Sequence, residues 1–351
     1  MKKMKKILAG VLAAAAVCTM LSACEGGAAS SGAASAAASG GNTAEKTYTI
    51  GVAQYNTHPA MDNSLKGFQE ALTDAGFIEG ENVTYNIQNA QGDNSTCTTV
   101  ASTMANQHPD LVLAIATPMA QAVVKAVTDV PVLVTAVTDP AASNLVESNE
   151  APGGNVTGTS DLTPVAEQIA LIKEIVPDCE TVGIMYCSSE ANSQQQAELA
   201  EAACEENGLQ YEVFTVTAAN EITQVAQSMV GKVQAVYIPT DNMLASGMKV
   251  VSGVTTPAGL PVIVGESGMV SNGGLLTVGI NYEELGRQTG EMAVKILKGE
   301  AQPATMPIEY QEKYDISYNS EAAAELGITL PDDILSEGTD MAGAADESEA
   351  A

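Results

Sequence analysis

Thr181-Val182-Gly183-Ile184-Met185-Tyr186-Cys187 is a short, mostly apolar run, followed by Ser188-Ser189-Glu190-Ala191-Asn192-Ser193. The run predicts a strand, and residues 194–206, rich in Ala, Gln and Glu, predict a surface helix. The three serines and the asparagine between them are residue types that cap helices and leave backbone N–H groups facing an anion. On its own the stretch reads either as an ordinary capped strand–turn–helix or as the seat of a small carboxylate.

The same unit occurs earlier in the chain. Thr49-Ile50-Gly51-Val52 parallels Thr181-Val182-Gly183-Ile184, and Gly76-Phe77 parallels Gly208-Leu209. Residues 110–114 have a counterpart in 234–238, and Val130-Pro131-Val132-Leu133-Val134 has one in Leu260-Pro261-Val262-Ile263-Val264. Each half therefore alternates strands and helices, the pattern of a parallel sheet covered on both faces. Two similar α/β lobes predict a ligand held in the cleft between them.

The ends of the chain differ from this pattern. Lys2, Lys3, Lys5 and Lys6 precede an apolar stretch too short for a confident membrane span, ending in Leu21-Ser22-Ala23-Cys24. Residues 1–23 read as a signal peptide, and the small residues before Cys24 resemble a bacterial lipobox, which implies lipidation of Cys24 and an extracytoplasmic, membrane-tethered protein. Residues 24–46, mostly Gly, Ala and Ser, predict a flexible tether, because they bury too little apolar surface to order themselves. Residues 336–351 read as an acidic disordered tail. The chain has 14 basic against 43 acidic residues, a net charge of −29, which argues against nucleic acid or an anionic membrane surface as a partner.

Catalytic signatures are missing. Two histidines are present, but no nucleophile elbow, zinc-protease helix, phosphate loop or dinucleotide fingerprint. Neither an enzyme nor a cofactor is expected. Cys97, Cys179, Cys187 and Cys204 lack metal-ligand spacing; free thiols are expected, with a Cys187–Cys204 bridge conceivable.

What the predicted strand ends do carry is small polar residues, and in open α/β sheets ligands bind outside the carboxyl ends of the strands. The residues expected to meet the ligand are Gln54, Thr117, Thr138, Ser160 and Asp161 from the first half and the crossover. Ser189, Asn192, Ser193, Asp241, Asn242 and Glu266 complete the set from the second half.

The loops carry further motifs: His58-Pro59-Ala60-Met61-Asp62, Asn89-Ala90-Gln91-Gly92-Asp93, Ala116-Thr117-Pro118, Thr138-Asp139-Pro140 and Gly154-Asn155-Val156-Thr157-Gly158. Glu190-Ala191-Asn192-Ser193, Pro239-Thr240-Asp241-Asn242 and Tyr282-Glu283-Glu284-Leu285-Gly286-Arg287-Gln288-Thr289-Gly290 follow. In this order they resemble the substrate-binding proteins of ABC transporters, in the subfamily associated with tryptophan, tyrosine and related amino acids. The resemblance implies a periplasmic-binding-protein fold of type I, with two lobes, a three-strand hinge and closure on the ligand. It also implies a permease and an ATPase as partners of a monomeric receptor. On that fold the first lobe is expected at 47–160 plus 282–300, and the second at 161–281 plus 301–335, with a last crossing near 301–307.

Composition narrows the ligand. The chain has no Trp and only three Phe, the rings on which sugars commonly stack, and its single arginine, Arg287, lies outside the loops. A zwitterion fits better, its carboxylate on hydroxyls and helix N-termini and its ammonium on Asp161 or Asp241. Tyr55, Met119, Met243 and Met269 are candidates for the apolar contact or for plain core packing. A nucleoside, a branched amino acid or an autoinducer is the alternative within the same fold, and a sensory surface lipoprotein is the alternative in role.

Overall fold

The structure, a computed structural model, describes residues 46–344. The expected signal segment, Cys24 and nearly all of the expected tether lie outside the described residues.

The first half runs β1 (Tyr48–Gln54), α1 (Pro59–Asp74), β2 (Val83–Asn89), α2 (Asn94–Gln107), β3 (Leu111–Ile115), α3 (Thr117–Ala126), β4 (Val132–Val137) and β5 (Val156–Ser160). After the crossover come α4 (Val165–Ile175), β6 (Thr181–Cys187), α5 (Ala191–Glu206), β7 (Gln210–Val216), α6 (Ile222–Met229) and β8 (Ala235–Ile238). These are followed by α7 (Asn242–Ser246), α8 (Met248–Thr255), β9 (Val262–Val264), α9 (Ser267–Ser271) and β10 (Leu276–Gly279). The described residues end with α10 (Tyr282–Leu297), β11 (Glu309–Tyr310), β12 (Asp315–Tyr318), α11 (Ser320–Leu326), α12 (Asp332–Glu337) and β13 (Thr339–Asp340).

Two sheets result, in the orders β2-β1-β3-β4-β5-β11 and β7-β6-β8-β9-β10-β12-β13. The shared start, second strand beside first and first beside third, is the doubly wound order that opens a crevice at the carboxyl ends of the strands. Within it, β3 and β4 are buried along their whole length, as central parallel strands covered on both faces must be, whereas the edge strands β2 and β7 keep exposed residues. The repeat seen in the sequence is therefore a repeat of sheet topology.

Helix α10 returns to the first lobe. Leu285, Met292 and Ala293 join the core of the first sheet, and the helix lies backbone to backbone on α1. Gly67 and Gly286 permit this approach: a Cβ on Gly67 would stand 1.9 Å from the Glu283 carbonyl oxygen, and one on Gly286 would stand 2.0 Å from that of Ser64. Arg287 closes the edge of the contact, its Nη1 donating to Asp74 at 2.8 Å.

Two boundaries differ from the sequence expectation. β11 pairs with β5, so the chain stays with the first sheet through residue 310 and crosses after it rather than near 301–307. Of the segment expected as a disordered tail from residue 336, the first residues continue as the end of α12 and then β13, which pairs with β12, and residues 345–351 lie outside the described residues. Backbone pairing of this kind is indifferent to the acidic side chains that suggested solvation. The four cysteines of the described residues are buried and free, so the conceivable Cys187–Cys204 bridge is not formed.

Hydrogen bonds link the lobes across the cleft. Asn56 Nδ2 donates to Ser246 Oγ at 2.8 Å and to the Asn242 carbonyl at 3.3 Å. Gln196 Nε2 donates to Thr138 Oγ1 at 3.1 Å, and Gln195 Nε2 to Asp139 Oδ2 at 3.3 Å.

Candidate functional site: an acidic cavity at the strand ends

The cavity lies where the carboxyl ends of both sheets meet. His58 reaches it from the loop after β1, Ala136 and Thr138 from β4, Asp161 from β5 and Asn192 from the turn after β6. Thr240 and Asp241 reach it from the loop after β8, Asn242 from the start of α7, Glu266 from the loop after β9 and Tyr282 from the start of α10. A register shift between Val134 and Val137 accompanies Ala136 in the left-handed region (φ 53°), a strained conformation for a residue with a Cβ. About 20 Å³ of the cavity can take the centre of a water molecule, room for roughly one water. A ligand larger than a water therefore enters only when the lobes part.

The second-lobe wall consists of acids satisfied from within. Asp241 caps α7: its Oδ1 accepts from Leu244 N at 2.8 Å and its Oδ2 from Cys187 N at 2.6 Å. Glu190 accepts from Met243 N at 3.1 Å, from Asn242 N at 3.2 Å and from Asn242 Nδ2 at 2.5 Å. Burial raises both carboxyls above their usual range; for Glu190 the neighbouring Asp241 adds to it, and for Asp241 the backbone donors oppose it.

Of the opening stretch, Asn192 lines the cavity, and Ser189 and Ser193 do not. Ser189 is exposed with its Oγ 3.0 Å from Cys187 Sγ, Ser193 is buried against Asn192, and the start of α7 is filled by the chain's own acids. Nor is α5 simply a surface helix: Gln196 is fully buried and holds both Thr138 and Thr240.

The hinge wall is different. Asp161 Oδ2 accepts from the Tyr282 hydroxyl at 2.9 Å, while its buried Oδ1 has no partner. Glu266 Oε2 accepts from Gly268 N at 2.6 Å, while its buried Oε1 has none. Burial pushes Asp161 up to about 6, against the Tyr282 and Thr138 hydroxyls, and Glu266 up to about 7, against the amides that open α9. Asn192 Oδ1 and both ring nitrogens of His58 are also buried without partners. No lysine or arginine lines the cavity.

Of the expected site residues, Thr138, Asp161, Asn192, Asp241, Asn242 and Glu266 line the cavity. Gln54, Ser160 and Thr117 stand behind it. Gln54 Nε2 donates to Asp62, Ser160 Oγ to the Thr138 carbonyl, and Thr117 is buried in the first turn of α3. The apolar set fares worse: Tyr55 donates to the Gly92 carbonyl, Met119 and Met269 are fully buried in the cores, Met243 packs against the second core, and none lines the cavity. His58, Met61, Ala136, Thr240, Ala245 and Tyr282 were not in the expected set. His58, Met61, Thr240 and Tyr282 stand inside the quoted motifs, and that was the available signal.

Residues 49–342 match the family of ABC transporter substrate binding proteins. The chain belongs to that family. This substrate-binding protein is 36% identical over 326 residues to the tyrosine-binding protein of Clostridioides difficile, covering 93% of each chain. It is 39% identical to an ABC domain in complex with L-Trp from Streptococcus pneumoniae, over 84% of this chain and 99% of that one, with a TM-score of 0.80. Against the ligand-free, open structure of a Clostridium difficile substrate-binding protein with adhesive properties, it is 42% identical over 84% of this chain and 98% of that one, but the TM-score is 0.67. The lower overlap at higher identity agrees with the cross-cleft hydrogen bonds: here the lobes are closed. The architecture is that of the type I periplasmic binding proteins.

Proposed function

We propose that this protein is the extracytoplasmic receptor of an ABC importer, tethered through a lipid on Cys24, that binds an aromatic amino acid between its lobes. It acts as a monomer and delivers the ligand to a permease served by an ATPase. The observation that carries the reading is the pair of unpartnered, buried carboxylate oxygens, Asp161 Oδ1 and Glu266 Oε1, in a cavity without lysine or arginine. An α-ammonium brings both the donors and the positive charge that such a pair lacks. A sugar or nucleoside brings hydrogen-bond donors but no positive charge for the pair. The aromatic part of the reading leans on relatives, one named for tyrosine and one solved with L-Trp.

Isothermal titration with tyrosine, tryptophan, phenylalanine, leucine, a nucleoside and a hexose tests the class. Saturable binding by the aromatic amino acids, at least tenfold tighter than by the others, is expected; preference for a sugar or nucleoside overturns it. For the anchor, Cys24→Ala is expected to abolish palmitate labelling and release the protein from membranes. Persistent labelling removes the lipoprotein reading.

A further inference from the structure

We propose that His58 holds the carboxylate of the bound amino acid, opposite the Asp161–Glu266 pair; this rests on the amino-acid reading above. His58 has an extended backbone immediately before α1, and Pro59 opens that helix. The residue as a whole is only partly buried, but both ring nitrogens are shut off from solvent, and neither has a hydrogen-bond partner. Buried polar atoms in folded proteins are almost always paired, and leaving one unpaired is costly. Two on one side chain that lines a cavity point to a ligand.

The kinds of unpartnered atom decide which ligand group. Asp161 Oδ1, Glu266 Oε1 and Asn192 Oδ1 are all acceptors. A neutral imidazole carries one N–H and one lone pair, so among the wholly unpartnered side-chain atoms on the lining it alone brings a donor. The Tyr282 hydroxyl already donates to Asp161. Thr240, which accepts from Gln196, can add a neutral donor but no charge, and the Thr138 hydroxyl faces Asp161.

Charge leads to the same residue. The other titratable groups around the cavity are Asp161, Asp241, Glu266 and Tyr282 on its lining and Glu190 behind it, so His58 is the lining side chain that can become a cation. Burial pushes its ring down to about 4, which keeps it neutral before ligand arrives. A carboxylate placed beside it favours the imidazolium and raises that value.

The test compares tyrosine with tyramine, which keeps the ring and ammonium and lacks the carboxylate, on the wild type, His58→Leu and His58→Gln. The wild type is expected to prefer tyrosine by roughly 10- to 100-fold, the range of a hydrogen bond to a charged group. His58→Leu should reduce that preference to a few-fold while tyramine affinity holds, and His58→Gln, which retains an N–H, should restore part of it. An undiminished preference in His58→Leu overturns the assignment. An NMR titration of the wild type gives a second reading free of folding defects, since the chain holds only one other histidine, His108. Tyrosine should raise the His58 pKa and tyramine should not; equal behaviour with both also overturns it. Should the wild type bind none of the aromatic amino acids, the ligand reading itself falls, an outcome distinct from either of these.

Discussion

At the scale of single residues, buried carboxyls without cations shape both binding and stability. Glu266 stands near 7 in the folded protein against an ordinary 4.5. A folded value raised in this way means that the native state binds the proton more tightly, so its contribution is complete below about 4.5 and is lost as pH rises through about 7. His58 acts in the opposite sense: its folded value is lowered from 6.5 to about 4, so its neutral form favours folding above 6.5 and stability is lost as pH falls through that window. Glu266→Gln keeps an acceptor for Gly268 N and removes the titration. Denaturation of the ligand-free variant should match the wild type near pH 5 and exceed it by roughly 3 kcal/mol at pH 8; parallel curves would contradict this. Asp161→Asn should weaken amino-acid binding by roughly 2–5 kcal/mol, as expected for truncation of a buried charge pair. Asp241→Asn should behave differently, because both oxygens of Asp241 accept from backbone N–H groups and an amide offers only one acceptor. A stability loss of about 1–2 kcal/mol, seen by urea denaturation, should dominate there.

At the scale of elements, the strands were legible because central parallel strands are apolar throughout, and the repeat of the two halves shows in local pattern. The helices were legible as helices, but their faces were not. Gln194-Gln195-Gln196 looks like surface, yet Gln196 turns inward beside buried Ala197, Ala200 and Ala203. The two-residue strand β11 has no periodicity to read, so the sequence does not show that the last crossing falls after residue 310. The contact between α1 and α10 gives an element-scale test. Gly286→Ala would drive a Cβ to 2.0 Å from the Ser64 carbonyl oxygen, so the helices must separate. A loss of roughly 1–3 kcal/mol in thermal or chemical denaturation is expected, whereas Gly299→Ala, with open space around it, should show only the smaller backbone cost of its positive φ.

At the scale of the whole molecule, the lobes are held shut by few contacts. Asn56 supplies two of them, to Ser246 and to the Asn242 carbonyl. Asn56→Ala should shift the population toward an open form and weaken affinity several-fold, because the bound ligand is held only while the lobes stay closed over it and the variant closes less favourably. Small-angle scattering should show a smaller radius of gyration for the wild type with saturating tyrosine than without it, and the ligand-free variant should be at least as extended as the ligand-free wild type. An Asn56→Ala affinity equal to that of the wild type would place the closing energy elsewhere.

The sequence by itself determined the alternation of elements, the pairing of like halves and the kinship carried by motifs in fixed order. Each of these is written in neighbouring residues, as periodicity or as loop chemistry. It also placed Asp161, Asp241 and Glu266 at strand ends without distinguishing their tasks. Only the tertiary structure decided that both oxygens of Asp241 are taken by the Cys187 and Leu244 amides, while Asp161 and Glu266 each keep one oxygen unpartnered. The physical reason is that an acid's role depends on which donors reach it. For these acids several donors come from far along the chain: Tyr282 to Asp161, Cys187 to Asp241, Met243 to Glu190. Such meetings are set by how two sheets and a returning helix pack, and no local pattern records them.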